Sequence, residues 1–287
     1  MAKLIMSAFA DEYSDVLTEQ LQALNGFGIN FIELRHADGK GVAEMTECDV
    51  KEIKKKLNDY GVGVSAIGSP LGKVKLDGDL DAHFDTARRI FNMANELGTN
   101  HIRMFSYYPP EGKIIYDFKN EVYDNMEKLI KIAEEYKMTL CLENEDRLYG
   151  ASPETCLELC NAFKGRLKVV FDMGNFALKG VETYPYAYNL LREHIEYFHI
   201  KDAFFDAETG KGSVVPAGCG NAKIKEILTD FAKTSNFDTF ISLEPHLLDF
   251  GGLAALGGKH FDSPFVYKDA KEAFSDGVKH LKDLLAK

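Results

Sequence analysis

No stretch of this 287-residue chain approaches the roughly 20 consecutive apolar residues of a membrane-spanning helix, so no membrane partner is expected. Basic residues are also short: 34 Lys and Arg face 45 Asp and Glu, a formal net charge of −11. That balance disfavours nucleic acid as a partner, because phosphate binding wants a basic surface. The five cysteines (Cys48, Cys141, Cys156, Cys160, Cys219) are odd in number and contain no CxxC pair. A reduced, cytoplasmic compartment is expected, with Cys156 and Cys160 read as apolar filling on a helix. The first apolar run lacks the GxGxxG turn of a dinucleotide-binding unit. No Pro/Ser-rich linker divides the chain, which predicts a single domain over residues 1–287. The N-terminal MAKLIMSAFADE reaches acidic residues too soon for a secretory signal and reads as a first strand.

What is present is a repeating alternation. Short apolar runs at 3–9, 30–34, 62–67, 100–105, 138–143, 167–172, 196–200 and 238–243 have the length and composition of strands. Between them lie stretches with helical spacing, such as Leu17, Leu21 and Leu24. Further helices are predicted at 49–61, 80–97, 121–136, 153–163, 183–193, 221–233 and from about 267. Strands separated by helices pair in parallel through right-handed crossovers. Eight such units in this length fit a closed (β/α)8 barrel, an α/β fold of typically about 250 residues, better than an open sheet.

Four of these runs end on a metal-type side chain: Glu143 in LENE, Asp172 in FDMGN, His199 in FHIKD and Glu244 in SLEPH. In a parallel barrel the C-terminal strand ends gather at one mouth. Because side chains alternate along a strand, Cys141, Val170, Tyr197 and Ser242 share the inward face of their respective ligands. Three carboxylates held together there repel one another unless a cation neutralises them. Three oxygen ligands and one imidazole suit Mn²⁺, Mg²⁺, Co²⁺ or Zn²⁺, with open positions for water or substrate. Glu33, Lys73, Arg103, Asn175, Lys201 and His246 occupy or follow the other strand ends and are the candidate substrate contacts. Such a set of donors and acceptors suits a hydroxyl-rich small molecule, and Lys73, Arg103 or Lys201 suits a phosphate or an anionic oxygen.

These motifs, together with FADE (9–12), NFIELR (30–35), SAIGSPLGK (65–73), IRMFSYY (102–108) and PAGCGN (216–221), resemble the xylose isomerase-like TIM barrels over nearly the whole chain. The resemblance implies a sugar or sugar phosphate isomerase or epimerase whose divalent metal is held by Glu143, Asp172, His199 and Glu244. In the ketose 3-epimerases of that family, the positions matching Glu143 and Glu244 also exchange protons with substrate from opposite faces. The implied reaction is proton transfer next to a carbonyl through a metal-stabilised enediolate. Two departures stand out. Cys219 takes the place between the PxGxG glycines where relatives often carry an acid, and Asn175 stands where those epimerases have His.

The same metal and enolate also suit an inosose dehydratase-like lyase, and a retained barrel suits a non-catalytic sugar-binding protein. The endonuclease branch, which needs additional histidines and a basic groove, is disfavoured by the acidic chain. Two Gly-rich loops, residues 203–220 and 250–258, suit mouth lids, surface linkers or contacts of a homo-oligomer.

Overall fold

The computed structural model describes residues 1–250 and 262–286. Its apolar runs form eight parallel strands: β1 (Leu4–Ala8), β2 (Phe31–Leu34), β3 (Gly63–Ile67), β4 (His101–Met104), β5 (Thr139–Glu143), β6 (Leu167–Asp172), β7 (Ile195–Ile200) and β8 (Thr239–Leu243). Each pairs with its neighbour in sequence, and β8 returns to β1 through five residue pairs from Leu4–Thr239 to Ala8–Leu243, so the sheet closes. The (β/α)8 barrel expected from the alternation is the observed fold.

Long helices cover the outside at Leu17–Gly26, Glu47–Tyr60, Leu80–Leu97, Lys119–Glu135, Pro153–Ala162, Ile224–Thr234 and Ala270–Leu285. Their ends follow local chemistry. Thr46 and Asp49 form a reciprocal capping box that starts the second helix, and Gly61 ends it in the left-handed region (φ 66°). Pro153 opens the fifth after Ser152 as N-cap, where its missing N–H costs nothing.

Two predicted segments differ. The helix expected over 183–193 is a π turn at Thr183–Ala187, a short α segment at Tyr188–Leu191 and a 3-10 turn at Arg192–His194. Pro185 is the reason: the residue before a proline is pushed out of the helical region, and Tyr184 sits at φ −137°, ψ 131°. The stretch expected as a Gly-rich loop at 203–220 contains an antiparallel hairpin, Asp202–Asp206 paired with Lys211–Val215. The loop expected at 250–258 lies, except for Phe250, outside the described residues.

Side chains divide by strand parity. Leu140, Leu142, Val169, Phe171, Phe198 and Ile200 face outward into the main core shared with the helices. Phe198, for example, meets Phe231 edge-on at 4.9 Å between ring centroids, and each such buried ring or Leu contributes about 1.5–3 kcal/mol. The alternate residues Cys141, Val170 and Tyr197, with Ala66, form a separate small cluster inside the barrel. That inner plug closes the barrel from below and leaves the next inward layer, at the strand C-termini, to polar groups. Among the described residues no helix is long and apolar enough to cross a membrane.

Candidate metal centre

Glu143 is the last residue of β5, Asp172 the last of β6, His199 lies one before the end of β7, and Glu244 immediately follows β8. Register places them side by side: Asp172 pairs with His199 and Ser242 with His199 across their strands. One ligand atom from each lies within 4.8 Å of the other three, and all four residues are buried. Asp172 doubles as N-cap of the short helix Met173–Ala177, its Oδ1 accepting the Asn175 backbone N–H at 2.8 Å. Its main chain is clamped to Asn144, which donates to the Asp172 carbonyl (2.9 Å) and accepts from the Asp172 N–H (3.0 Å).

Three cations hold the carboxylates. Arg103 donates from Nη1 to Glu143 Oε2 (3.0 Å), and its other donors go to the carbonyls of Gly68 (2.9 Å) and Ser69 (3.2 Å). Lys201 Nζ lies 2.8 Å from Asp172 Oδ2 and 3.3 Å from Glu244 Oε2. Arg35 reaches Glu244 Oε1 at 2.7 Å, while its Nε and Nη2 grip both oxygens of Asp11 at 2.9 and 3.0 Å. Gly174 makes room for this arrangement, since a Cβ there would come within 2.8 Å of the Lys201 carbonyl carbon.

The electrostatics follow. Burial favours the neutral acids, but Arg103 and His199 outweigh it at Glu143, which lies below the usual carboxylate range. Glu244 is held well below it for the same kind of reason, by Lys201, His246, His199 and Arg35. Asp172 is pushed up, because burial and the two neighbouring glutamates exceed the pull of Lys201. His199 loses some proton affinity to burial and gains more from Glu33 and Glu143, ending at about 10.

The other residues expected at the mouth separate into groups. Asn175 donates to Glu143 Oε1 (3.1 Å), so Arg103, Asn175 and Lys201 all touch ligand carboxylates directly. His246 has its backbone N–H on Glu12 Oε2 (2.8 Å) and its Nε2 3.9 Å from Glu244 Oε1. Lys73 lies over the Phe105 ring and pairs with Glu145 Oε2 at 3.1 Å. Glu33 contacts the far nitrogen of His199. Sequence reasoning gave no role to Asp11, Glu12 and Asn144, although they stand in the quoted FADE and LENE. It set Arg35 just beyond the second strand end, at the pocket, but nothing local indicates that Arg35 pairs with a glutamate 209 positions away.

The PAGCGN segment is not at the ligands. Asp202 holds it: Oδ2 accepts the N–H groups of Gly218 (2.8 Å) and Gly220 (3.0 Å), and Oδ1 those of Ala203 (2.8 Å) and Ala222 (3.0 Å). Cys219 is exposed, with Sγ 3.6 Å from His280 Nδ1.

The donor set fits a divalent cation. Among the described residues His199 Nδ1 is buried without a hydrogen-bond partner and faces Glu244 Oε2 at 3.5 Å and Glu143 Oε2 at 3.6 Å. In the neutral form that a bound cation would impose, the Nδ1 lone pair would point among three carboxylates, a donor set that suits a hard or borderline metal.

Comparison with known proteins extends this picture. A family model described as xylose isomerase-like TIM barrel matches residues 21–284. Among solved structures, the D-allulose 3-epimerase from Methylomonas sp. is similar with TM-score 0.73 and 13% identity, over 99% of this chain and 100% of that one. The probable 3-DHS dehydratase AsbF from Bacillus anthracis gives 0.71 and 18%, over 98% of each chain. A xylose isomerase-like TIM barrel protein from Mycobacterium smegmatis in complex with magnesium gives 0.70 and 14%, over 100% of this chain and 97% of that one. No curated protein is significantly similar in sequence. Since the match runs over nearly all of the barrel and takes in all four candidate ligands, the chain belongs to the xylose isomerase-like TIM barrel family.

Proposed function

We propose that this protein is a divalent-metal-dependent isomerase or epimerase of a sugar or sugar phosphate, moving a proton at a carbon next to a carbonyl. The observation that carries the reading is the placement of Glu143 and Glu244 on either side of His199 Nδ1, at 3.6 and 3.5 Å. Two carboxylates that converge on one point from β5 and from beyond β8 can address one substrate carbon from two directions. A divalent cation held by Glu143, Asp172, His199 and Glu244 supplies a Lewis acid for the carbonyl oxygen. That the similar epimerase and the magnesium-bound family protein share this fold is consistent with both halves of the proposal.

The chain's own groups do the rest. Glu143 Oε2 is tied to a guanidinium and, among the described residues, Oε1 only to the Asn175 amide, so Oε1 is the more basic oxygen and the one that takes a proton. Arg35 and Arg103 fix the planes of the two glutamates and keep both ionised before reaction. Burial excludes water, which strengthens every charge interaction around the substrate. Glu143 removes the carbon-bound proton; Glu244 takes one from a substrate hydroxyl and delivers it to the same carbon in an epimerase or to its neighbour in an isomerase, and Glu143 gives its proton to a substrate oxygen, so that both glutamates end ionised.

The test is incubation of the metal-loaded protein in D₂O with a panel of ketoses, inososes and their phosphates, following where deuterium enters. Incorporation at the carbon beside the carbonyl, with epimer or isomer formed, supports the proposal. Loss of water to a new double bond assigns a lyase instead, and tight sugar binding without exchange assigns a binding protein. Glu143→Gln and Glu244→Gln should keep the fold and lose turnover by 10²-fold or more, on the order of a lost general base. Near-normal rates in both would reject their roles.

A further inference from the structure

Glu33 lies on β2 and is fully buried, yet it meets none of the three carboxylates assigned to the metal. Its two oxygens face His199 Nε2 at 3.1 and 3.2 Å, and Oε1 also accepts the Tyr197 hydroxyl at 2.9 Å. Tyr197 and His199 share the inward face of β7, so hydroxyl, carboxylate and imidazole form one chain of contacts across the barrel interior. The imidazole is held on its faces as well, by Phe9 at 5.0 Å and Tyr197 at 5.6 Å between ring centroids, both edge-on.

From this geometry we infer that Glu33, oriented by Tyr197, is the positioning residue of the metal centre. An ionised carboxylate only accepts hydrogen bonds, so with Glu33 opposite, the ring hydrogen belongs on Nε2. When a cation displaces the Nδ1 hydrogen, the Nδ1 lone pair then points among Glu143, Asp172 and Glu244, the direction in which Nδ1 has no other hydrogen-bond partner among the described residues. A carboxylate behind a ligating imidazole fixes its tautomer and ring plane and makes the ligating nitrogen a better donor. Glu33 thus acts through His199, at a distance from the substrate contact that its strand-end position suggested. Tyr197 restrains Glu33 in turn: without its hydroxyl, Oε1 would keep only His199 as a partner among the side-chain contacts described here.

This inference rests on the metal-site reading, and the experiment separates the two. Protein stripped with a chelator is titrated with Co²⁺ alone, read by the visible absorption of the bound ion, for wild type, Glu33→Gln, Glu33→Ala and Tyr197→Phe. Glu33→Ala should weaken binding by about 10–100-fold, the usual range for loss of such a partner, and Glu33→Gln and Tyr197→Phe by less. In the Zn²⁺-loaded wild type, nitrogen NMR of histidine should show Nδ1 metal-bound and Nε2 carrying a proton protected from solvent, with that protection lost in Tyr197→Phe. Metal on Nε2, or affinities unchanged within twofold in Glu33→Gln and Tyr197→Phe, overturns the role of Glu33 while leaving the metal site standing. Absence of Co²⁺ binding by the wild type overturns both. Should Glu33→Ala fail to fold, Tyr197→Phe, which keeps the ring and removes one hydroxyl, decides the question by itself.

Discussion

Asp202 offers a sharp quantitative prediction. Its carboxylate accepts four backbone N–H groups, two per oxygen, and joins the end of β7 to the PAGCGN turn and the start of the Ile224–Thr234 helix. Gly220 lies so close that a Cβ would come within 2.7 Å of the Ala203 carbonyl carbon. Burial raises the Asp202 pKa, the four N–H bonds pull against that rise, and the net value of each bond is correspondingly modest. An amide has one accepting oxygen where a carboxylate has two, so Asp202→Asn retains two of the four bonds and Asp202→Ala none. At about 1 kcal/mol per bond the expected losses are about 2 and about 4 kcal/mol. The suitable assay is amide hydrogen exchange, which reads local opening and does not require the whole barrel to unfold in one step. Protection at Gly218, Gly220 and Ala222 should fall roughly 30-fold in Asp202→Asn and about a thousandfold in Asp202→Ala, since 1.4 kcal/mol is tenfold. Protection that stays within threefold of wild type in Asp202→Ala would refute the reasoning, because the loop would then be held by something other than this carboxylate.

Removing divalent metal by chelation should lower the unfolding midpoint. Saturation at a hundred times Kd is worth about 2.7 kcal/mol, or roughly 5–10 °C for a chain of this size, and identical melting with and without added Mn²⁺ or Zn²⁺ would contradict the site. His83 predicts a pH dependence: burial lowers its pKa from 6.5 to about 4, and its Nε2 accepts the Gly72 N–H at 3.3 Å. With the folded value below the unfolded one, its contribution is complete above pH 6.5 and is lost as pH falls toward 4, by about 3 kcal/mol in total. The difference in urea stability between wild type and His83→Gln should therefore shrink over that window; a difference independent of pH would contradict the assignment. Gly174→Ala should displace Lys201 from Asp172 at a cost of about 1–3 kcal/mol and weaken Co²⁺ binding in parallel. A variant as stable as wild type with unaltered affinity would show that this close approach is not required.

Much of the candidate site was legible because each ligand closes a short apolar run, and strand ends in a closed parallel barrel have one place to go. Glu143, Asp172 and His199 are read from LENE, FDMGN and FHIKD without knowledge of any neighbour. Arg35 was legible only as a polar residue just beyond the second strand end, since its value lies in partners 24 and 209 residues away, Asp11 and Glu244. Glu33 was read as a substrate contact from its strand-end position; that it faces the imidazole of a residue 166 positions away depends on the closure of the barrel. The hairpin Asp202–Asp206 with Lys211–Val215 looked like a loop because Gly210 and Gly212 punctuate it, although DAFFD and KGSVV can pair as strands.

The alternation of apolar runs and amphipathic stretches, by itself, determined the eight-fold parallel architecture and the mouth at which Glu143, Asp172, His199 and Glu244 meet, because side-chain period and crossover handedness are local properties. Tertiary structure alone decided which cation neutralises which carboxylate and which imidazole nitrogen faces inward. Those choices are set by distances of about 3 Å between residues from different strands, and no local period in a sequence encodes such distances.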